Sequence, residues 1–347
     1  MNENRRKSKQ ISVGKLKMGG DAPISIQSML NTPAEDFEKS VEQAKRLEAA
    51  GCEIIRAAIP NMESVKLIEH LKNAVSVPIV ADIHFDYRLA LEAVAAGVDK
   101  VRINPGNIGD EDRVRQVVQS CKQHNVPIRV GVNSGSLEKH ILAKYGHPTA
   151  QAMVDSALYH TSLIEKFDYD QIAISIKSSN VQTMIEAYRL AAQQCDYPLH
   201  LGVTEAGTAR MGLIKSAVGI GSLLCDGIGD TIRVSLTDDP VNEVYAARDI
   251  LKSIGLRKEG ITFVSCPTCG RTKIDLIGLA QQVEEFRTHP TAEGVNLKGK
   301  KRTTLKLFIP NLTFPEPVEM GENVWIYMGE LCPAYCLFTP WEETKEN

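Results

Sequence analysis

Residues Ile79 to Gly109 read IVADIHFDYRLALEAVAAGVDKVRINPGNIG. Two short runs rich in β-branched residues, IVADIH from Ile79 and KVRINP from Lys100, bracket a longer stretch, and Gly97 stands where a helix should stop. This is the pattern of one parallel strand–helix–strand unit. The same alternation extends in both directions. ISIQSM from Ile24, IIRAAI from Ile54, IRVGVN from Ile128, IAISIK from Ile172, LHLGVTE from Leu199 and TIRVSL from Thr231 bring the runs to eight. Between the first two, Phe37, Val41, Ala44 and Leu47 form a one-sided helical stripe, and Thr32 and Glu35 have capping-box spacing. Gly51 and Gly255 repeat the stopping role of Gly97. Eight such repeats predict an α/β fold, a closed TIM (β/α)₈ barrel over residues 1–255, more than an open sheet. ISVGKL from Ile11 and the residues leading to GGDAP predict a hairpin across the barrel floor. The long gap from Asn133 to Ile172 predicts an extra helix or lid, which GHPTAQAMVDSALYHTSLIEKF fits.

The whole chain has 347 residues, with 40 Lys+Arg against 43 Asp+Glu. That balance argues against a nucleic-acid-coating protein. No uncharged apolar run reaches the ~18 residues of a membrane helix, and the basic N-terminus lacks the apolar segment of a secretory signal. The expected compartment is cytoplasmic. Neither a Walker-type loop nor a GxGxxG after a first strand is present, which removes support for nucleotide-triphosphate and dinucleotide readings.

Inward positions of a packed barrel are usually Val, Ile or Leu, because a cation there loses its hydration. Here Arg56, Arg102, Arg129, Lys177 and Arg233 all lie inside strand runs. Period-two spacing puts Asn104 beside Arg102, Asn133 beside Arg129 and Ser235 beside Arg233. Any one of these cations could simply pair with an inward carboxylate such as Asp82 or Glu205, but two carboxylates cannot satisfy five. A small ligand with more than one phosphate answers the surplus. Asp82 and His84 share a strand face, and Glu205 ends a strand just before a Gly, where barrels of this class keep catalytic groups. Each could equally be a cap or an ion-pair partner. Among them Glu205 is the leading candidate for proton transfer, as a carboxylate set among cations. The loops NPGN (Asn104 to Asn107) and TEAGTARMG (Thr204 to Gly212) let backbone approach a ligand.

Beyond residue 255 the chain reads EGITFVSCPTCGRTKIDLIGLAQQVEEF, a strand running into Cys-Pro-Thr-Cys and then a helix. Two thiols at CxxC spacing, Cys266 and Cys269, suit zinc or an iron–sulfur cluster. Residues 256–347 are thus expected to form a small metal-binding α/β domain. Cys52, Cys121, Cys195 and Cys225 read as small buried hydrophobes of the barrel.

Taken in order, VADIHF, VRINPGNIG, IRVGVNSGSLE, SIKSS, LHLGVTEAG, GIGDTIRVSLT and SCPTCGRTKIDLI make the chain resemble the bacterial 4-hydroxy-3-methylbut-2-en-1-yl diphosphate synthase family of the non-mevalonate isoprenoid route. The resemblance runs from about Ile11 to about Glu285. It implies a TIM barrel joined to a small cluster-binding domain. It implies an oxidoreductase that opens and dehydroxylates 2-C-methyl-D-erythritol 2,4-cyclodiphosphate with two electrons, passed by flavodoxin or ferredoxin through a 4Fe-4S cluster. By motif, Arg56, Arg102, Asn104, Arg129, Asn133, Lys177, Arg233 and Ser235 would hold the diphosphate, with Asp82 close to the substrate. Glu205 would be the acid/base, Cys266 and Cys269 two cluster ligands, and the working form a homodimer.

The family pattern stops near Glu285. The Gly-Cys-x-Val-Asn-Gly-Pro-Gly-Glu motif that supplies the remaining Cys and Glu ligands is missing, and residues 286–347 form a divergent, Pro-broken tail. The metal domain therefore looks incomplete. A reading-frame change near Phe286 would produce this, or Cys332 and Cys336 substitute as ligands. Two other readings stay open: a catalytically inactive barrel that still binds substrate or dimerises, and a barrel with a structural Cys₄ zinc site. A pterin-binding barrel is more distant, since five cations suit a neutral ring poorly.

Overall fold

A computed structural model describes residues 5–257, together with 262–265, 277–278 and 325–328. The chain divides into two units, Met1–Leu256 and Arg257–Asn347. The first opens with an antiparallel hairpin, β1 (Ile11–Val13) and β2 (Leu16–Met18), and then alternates strand and helix. The series runs β3 (Ser25–Met29), α1 (Phe37–Ala49), β4 (Ile54–Ala58), α2 (Lys66–Ala74), β5 (Ile79–Asp82), α3 (Tyr87–Ala95) and β6 (Lys100–Ile103). A short α4 (Pro105–Ile108) precedes α5 (Glu111–His124) and β7 (Ile128–Asn133). After β7 come α6 (Lys139–Tyr145) and α7 (Ala150–Glu165), then β8 (Ile172–Lys177), α8 (Val181–Gln194), β9 (His200–Leu201), α9 (Ala209–Cys225), β10 (Thr231–Ile232) and α10 (Pro240–Ser253).

The unit quoted first shows why these residues take these shapes. Asp86 caps α3, its side chain accepting the Arg88 backbone N–H at 3.0 Å. Leu89, Ala90, Ala93 and Val94 form the buried face. Gly97, at φ 85°, then turns the chain, so that its N–H meets the Val94 carbonyl and that of Val98 meets Ala93. The first helix corrects the sequence expectation. Asp36 is its N-cap, whereas Thr32 bonds Ser40 and Glu35 accepts from Asn61.

All eight barrel strands are parallel. β3 to β8 pair in chain order, and β10 pairs with both β9 and β3. The ring closes between β8 and β9 through a single parallel bridge, Ile174 to Leu199. Tyr188 of α8 reinforces that seam: its hydroxyl accepts the Ile176 N–H at 2.9 Å and donates to the His200 carbonyl. Two separate cores result. Ile55, Ala57, Ile79, Ala81, Val101, Ile103, Ile128, Val130, Ile172 and Ile174 pack outward among the helices. Ile11, Val13 and Met18 of the hairpin pack against Ile54, Val80 and Ala173, plugging the floor of the barrel. The gap between β7 and β8 holds two helices, of which α6 is the extra one and α7 the barrel's own.

In the second unit β11 (Thr262–Ser265) pairs in parallel with β12 (Trp325–Met328). The strand expected before Cys266 is therefore present, and a piece of the divergent tail lies beside it. Cys266, Cys269, Cys332 and Cys336 lie outside the described residues.

Candidate active site

Side-chain direction along each strand follows from the floor plug. Because Ile54, Val80 and Ala173 face inward, residues two and four positions on also face inward. That places Arg56, Asp82, Ser175 and Lys177 inside the barrel. Asp82, Arg102 and Arg129 are successive rungs across β5, β6 and β7, and Asn133 pairs in register with Lys177. Arg56, Arg102, Asn104, Arg129 and Lys177 are buried, while Arg233, Asn133 and Ser235 are half-buried toward the mouth. The structure thus brings Arg56, Arg102, Arg129, Lys177 and Arg233 into one interior, with Asn104, Asn133 and Ser235 further along the same chain segments.

The carboxylates among them are few. Asp82 takes Arg102 at 3.2 Å and Arg56 at 3.7 Å, and its other neighbour is His84 at 3.3 Å. Burial works against its ionisation, but Arg56, the His84 bond, Arg102 and Arg129 outweigh it and hold the carboxyl below the usual range. Arg56 also reaches the Met29 sulfur. Arg102 donates to the Gly131 carbonyl at 3.4 Å, and any side chain at Gly131 would collide with its guanidinium.

A second carboxylate comes from outside the strands. Glu243 of α10 accepts from Ser28 at 3.1 Å and from the Leu236 N–H at 3.0 Å, and stands 3.6 Å from Arg233. Glu205 does not share this duty. It is exposed at the rim with φ 51°, a left-handed conformation that costs a non-glycine residue about 1–3 kcal/mol and clusters at functional sites. The cation-paired Glu205 considered from sequence is replaced by Glu243.

Cation still exceeds anion. Among the described residues no carboxylate lies within ion-pair distance of Arg129 or Lys177, and all three Arg129 guanidinium nitrogens are buried without a hydrogen-bond partner. Below them sequence reasoning missed Lys100, Gln27 and His200, which are buried and have partnerless nitrogens. Lys100 was legible, since it stands two residues before Arg102 on the same strand face. Burial, reinforced by neighbouring cations, pushes Lys100, Arg129, Lys177 and His200 well below their ordinary values, and Arg56 down to about 10. An unpaired buried charge costs several kcal/mol, so such a set is built to meet a polyanion.

No group of three or more His, Cys, Asp or Glu is placed to hold a metal among the described residues. Burial pushes the Cys52 and Cys121 thiols up to about 12, far from the thiolate that a ligand needs. Cys225 is exposed, contrary to expectation, and Cys195 is half-buried.

Comparison with known proteins follows the same lines. Residues 8–248 match the family model described as the GcpE TIM-barrel domain. In solved structures the barrel resembles dihydropteroate synthase from Stenotrophomonas maltophilia, with TM-score 0.53 and 15% identity over 71% of this chain and 97% of that one. It is equally similar to 3-dehydroquinate dehydratase from Geobacillus kaustophilus, with TM-score 0.53 and 15% identity over 72% and 99% of the two chains. Those likenesses concern the fold alone. A relative from Clostridium perfringens is 57% identical over 282 residues, covering 81% of each chain. One from Fusobacterium nucleatum is 58% identical over 82% of this chain and 80% of its own. Both bear the name 4-hydroxy-3-methylbut-2-en-1-yl diphosphate synthase (flavodoxin), and at this identity and coverage the chain belongs to that family.

Proposed function

We propose that the chain is an oxidoreductase converting 2-C-methyl-D-erythritol 2,4-cyclodiphosphate to 4-hydroxy-3-methylbut-2-en-1-yl diphosphate by two-electron reductive dehydroxylation. The surplus of buried, unpaired cation around Arg129 and Lys177 carries the reading, because a substrate with two phosphates supplies the missing counter-charge. Arg56, Arg102, Arg129, Lys177 and Arg233, with Asn104, Asn133 and Ser235, grip the phosphate oxygens. Asp82 fixes the forks of Arg56 and Arg102 beside the substrate. Glu205, exposed at the rim, delivers the proton that leaves with the lost hydroxyl as water.

The electrons come from flavodoxin, the donor named for the relatives, or from ferredoxin. Cys266 and Cys269, outside the described residues, would supply two of the ligands of a 4Fe-4S cluster. A homodimer in the cytoplasm is the working form. Met211, Ile214 and Val218, an exposed apolar stripe on α9, support the dimer by offering a face that a second copy can cover, and no described helix is long and apolar enough to cross a membrane.

One observation favours a second reading, a barrel that binds the cyclodiphosphate without reducing it. The Gly-Cys-x-Val-Asn-Gly-Pro-Gly-Glu motif is missing after Phe286, and the relatives' match leaves about a fifth of each chain unaligned. Anaerobic purification, reconstitution with iron and sulfide, and turnover with reduced flavodoxin decide between the two. Iron-loaded protein that forms product supports the reductase. Folded, iron-free protein that binds the cyclodiphosphate unchanged supports the silent barrel, and one zinc per chain would point to a Cys₄ site.

A further inference from the structure

Two anion-gripping side chains stand at the heads of loops, and one buried pair ties those loops together. Asn104 begins the turn into α4, where its side-chain oxygen accepts the Gly106 N–H at 3.1 Å. Asn133 ends β7, and the loop after it runs to Glu138, the N-cap residue of α6. Both loops meet on α7. The Glu138 carboxylate accepts from Ser156 at 2.7 Å with one oxygen and bonds His160 Nε2 with the other. His160 is fully buried, and its Nδ1 has no hydrogen-bond partner among the described residues. The ring faces the Asn104 turn so closely that a Cβ on Gly106 would sit 2.7 Å from His160 Cε1.

We propose that Glu138 and His160 form a positioning pair that sets the spacing of Asn104 and Asn133 around the bound anion. The pair touches no reacting atom. It acts by fastening the loop after β7 to α7 through Glu138 and by giving the turn after β6 a wall to rest on through His160. The charge on Glu138 suits the role. Burial opposes ionisation, but the bonds from His160 and Ser156 and the adjacent imidazole prevail and hold its carboxyl down at about 2. Misplacing a positioning group by about 1 Å costs on the order of a hundredfold in a site of this kind, which sets the scale expected.

The inference rests on the anion-binding reading above, and the test separates the two. Inorganic pyrophosphate is titrated into the full chain by calorimetry, and thermal unfolding is recorded for each variant. The wild type binds. Glu138→Ala and His160→Ala weaken binding about tenfold to a hundredfold, and Glu138→Gln, which keeps the shape and both contacts, recovers most of it. Gly106→Ala removes neither member of the pair but sets a methyl group against the His160 ring and so shifts the turn. It weakens binding by the folded protein, and so stands in should either alanine variant fail to fold. A merely structural pair would move melting temperatures and leave the affinity of folded variants alone. Folded Glu138→Ala and Gly106→Ala proteins that bind pyrophosphate like the wild type overturn the positioning role alone. A wild type that binds none overturns the anion site, and the positioning role with it.

Discussion

The floor and the mouth of the barrel are built from the same strands and obey opposite rules. At the floor Ile54, Val80 and Ala173 meet the hairpin residues Ile11, Val13 and Met18 in a dry plug. Two residues further along stand Arg56, Asp82 and Ser175, a step of about 7 Å at the usual strand rise. Apolar burial at one end supplies stability. Charge burial at the other consumes it in return for an anion site. Placing a charge at the floor should therefore lower stability, whereas removing a partnerless charge at the mouth should raise it.

The largest effect belongs to the floor. Met18→Asp places an unpaired carboxylate in a fully buried position and should cost about 4 kcal/mol or more, leaving a chain with no cooperative urea transition at neutral pH. Next comes Asp82→Asn, which strips Arg56 and Arg102 of their shared partner and should cost about 3–5 kcal/mol. Its pH dependence has a definite sign. Because the folded carboxyl is held below its unfolded value, its contribution is complete above pH ~4 and lost as the pH falls. The gap in urea midpoint between wild type and variant should therefore be full at neutral pH and narrow as the pH falls below about 4. Arg129→Met reverses the direction. Removing a buried cation without a partner should raise stability by about 1–4 kcal/mol while weakening pyrophosphate binding at least about tenfold, read by melting and calorimetry on the same samples. A loss of stability there would break the comparison. The smallest effect is a control away from both ends: Lys66→Ala removes an exposed pair with Glu63 and should change stability by less than about 1 kcal/mol and binding not at all.

Much of this was legible in the sequence, because it depends on local period. Runs of β-branched residues mark the strands, and spacing of two puts Arg102 with Asn104 and Arg129 with Asn133 on the inner face. What stayed hidden depends on partners far away in the chain. Glu243 reaches Ser28 across 215 positions, and nothing near either residue announces the contact. Glu138 and His160 lie 22 positions apart in a segment whose helical pattern is read without reference to any neighbour. Helix capping failed for a related reason. Thr32 and Glu35 have capping spacing, but Ser40 of the helix itself and the more distant Asn61 claim their side chains and leave the cap to Asp36. β9 and β10 came out at two residues each, since strand propensity alone does not say how long neighbouring backbones stay in register.

The seam between β8 and β9 has a mechanical consequence. Where other strands share a ladder, this join has a single bridge, and the Tyr188 hydroxyl spans the two backbones beside it. The ring is therefore fastened at that point by a side chain, like a hoop with a clasp. A phenylalanine in its place would leave the Ile176 N–H and the His200 carbonyl without that partner. Solvent exchange at the Ile176 amide would then quicken before exchange at β4 to β7, and the cylinder would open first along this line.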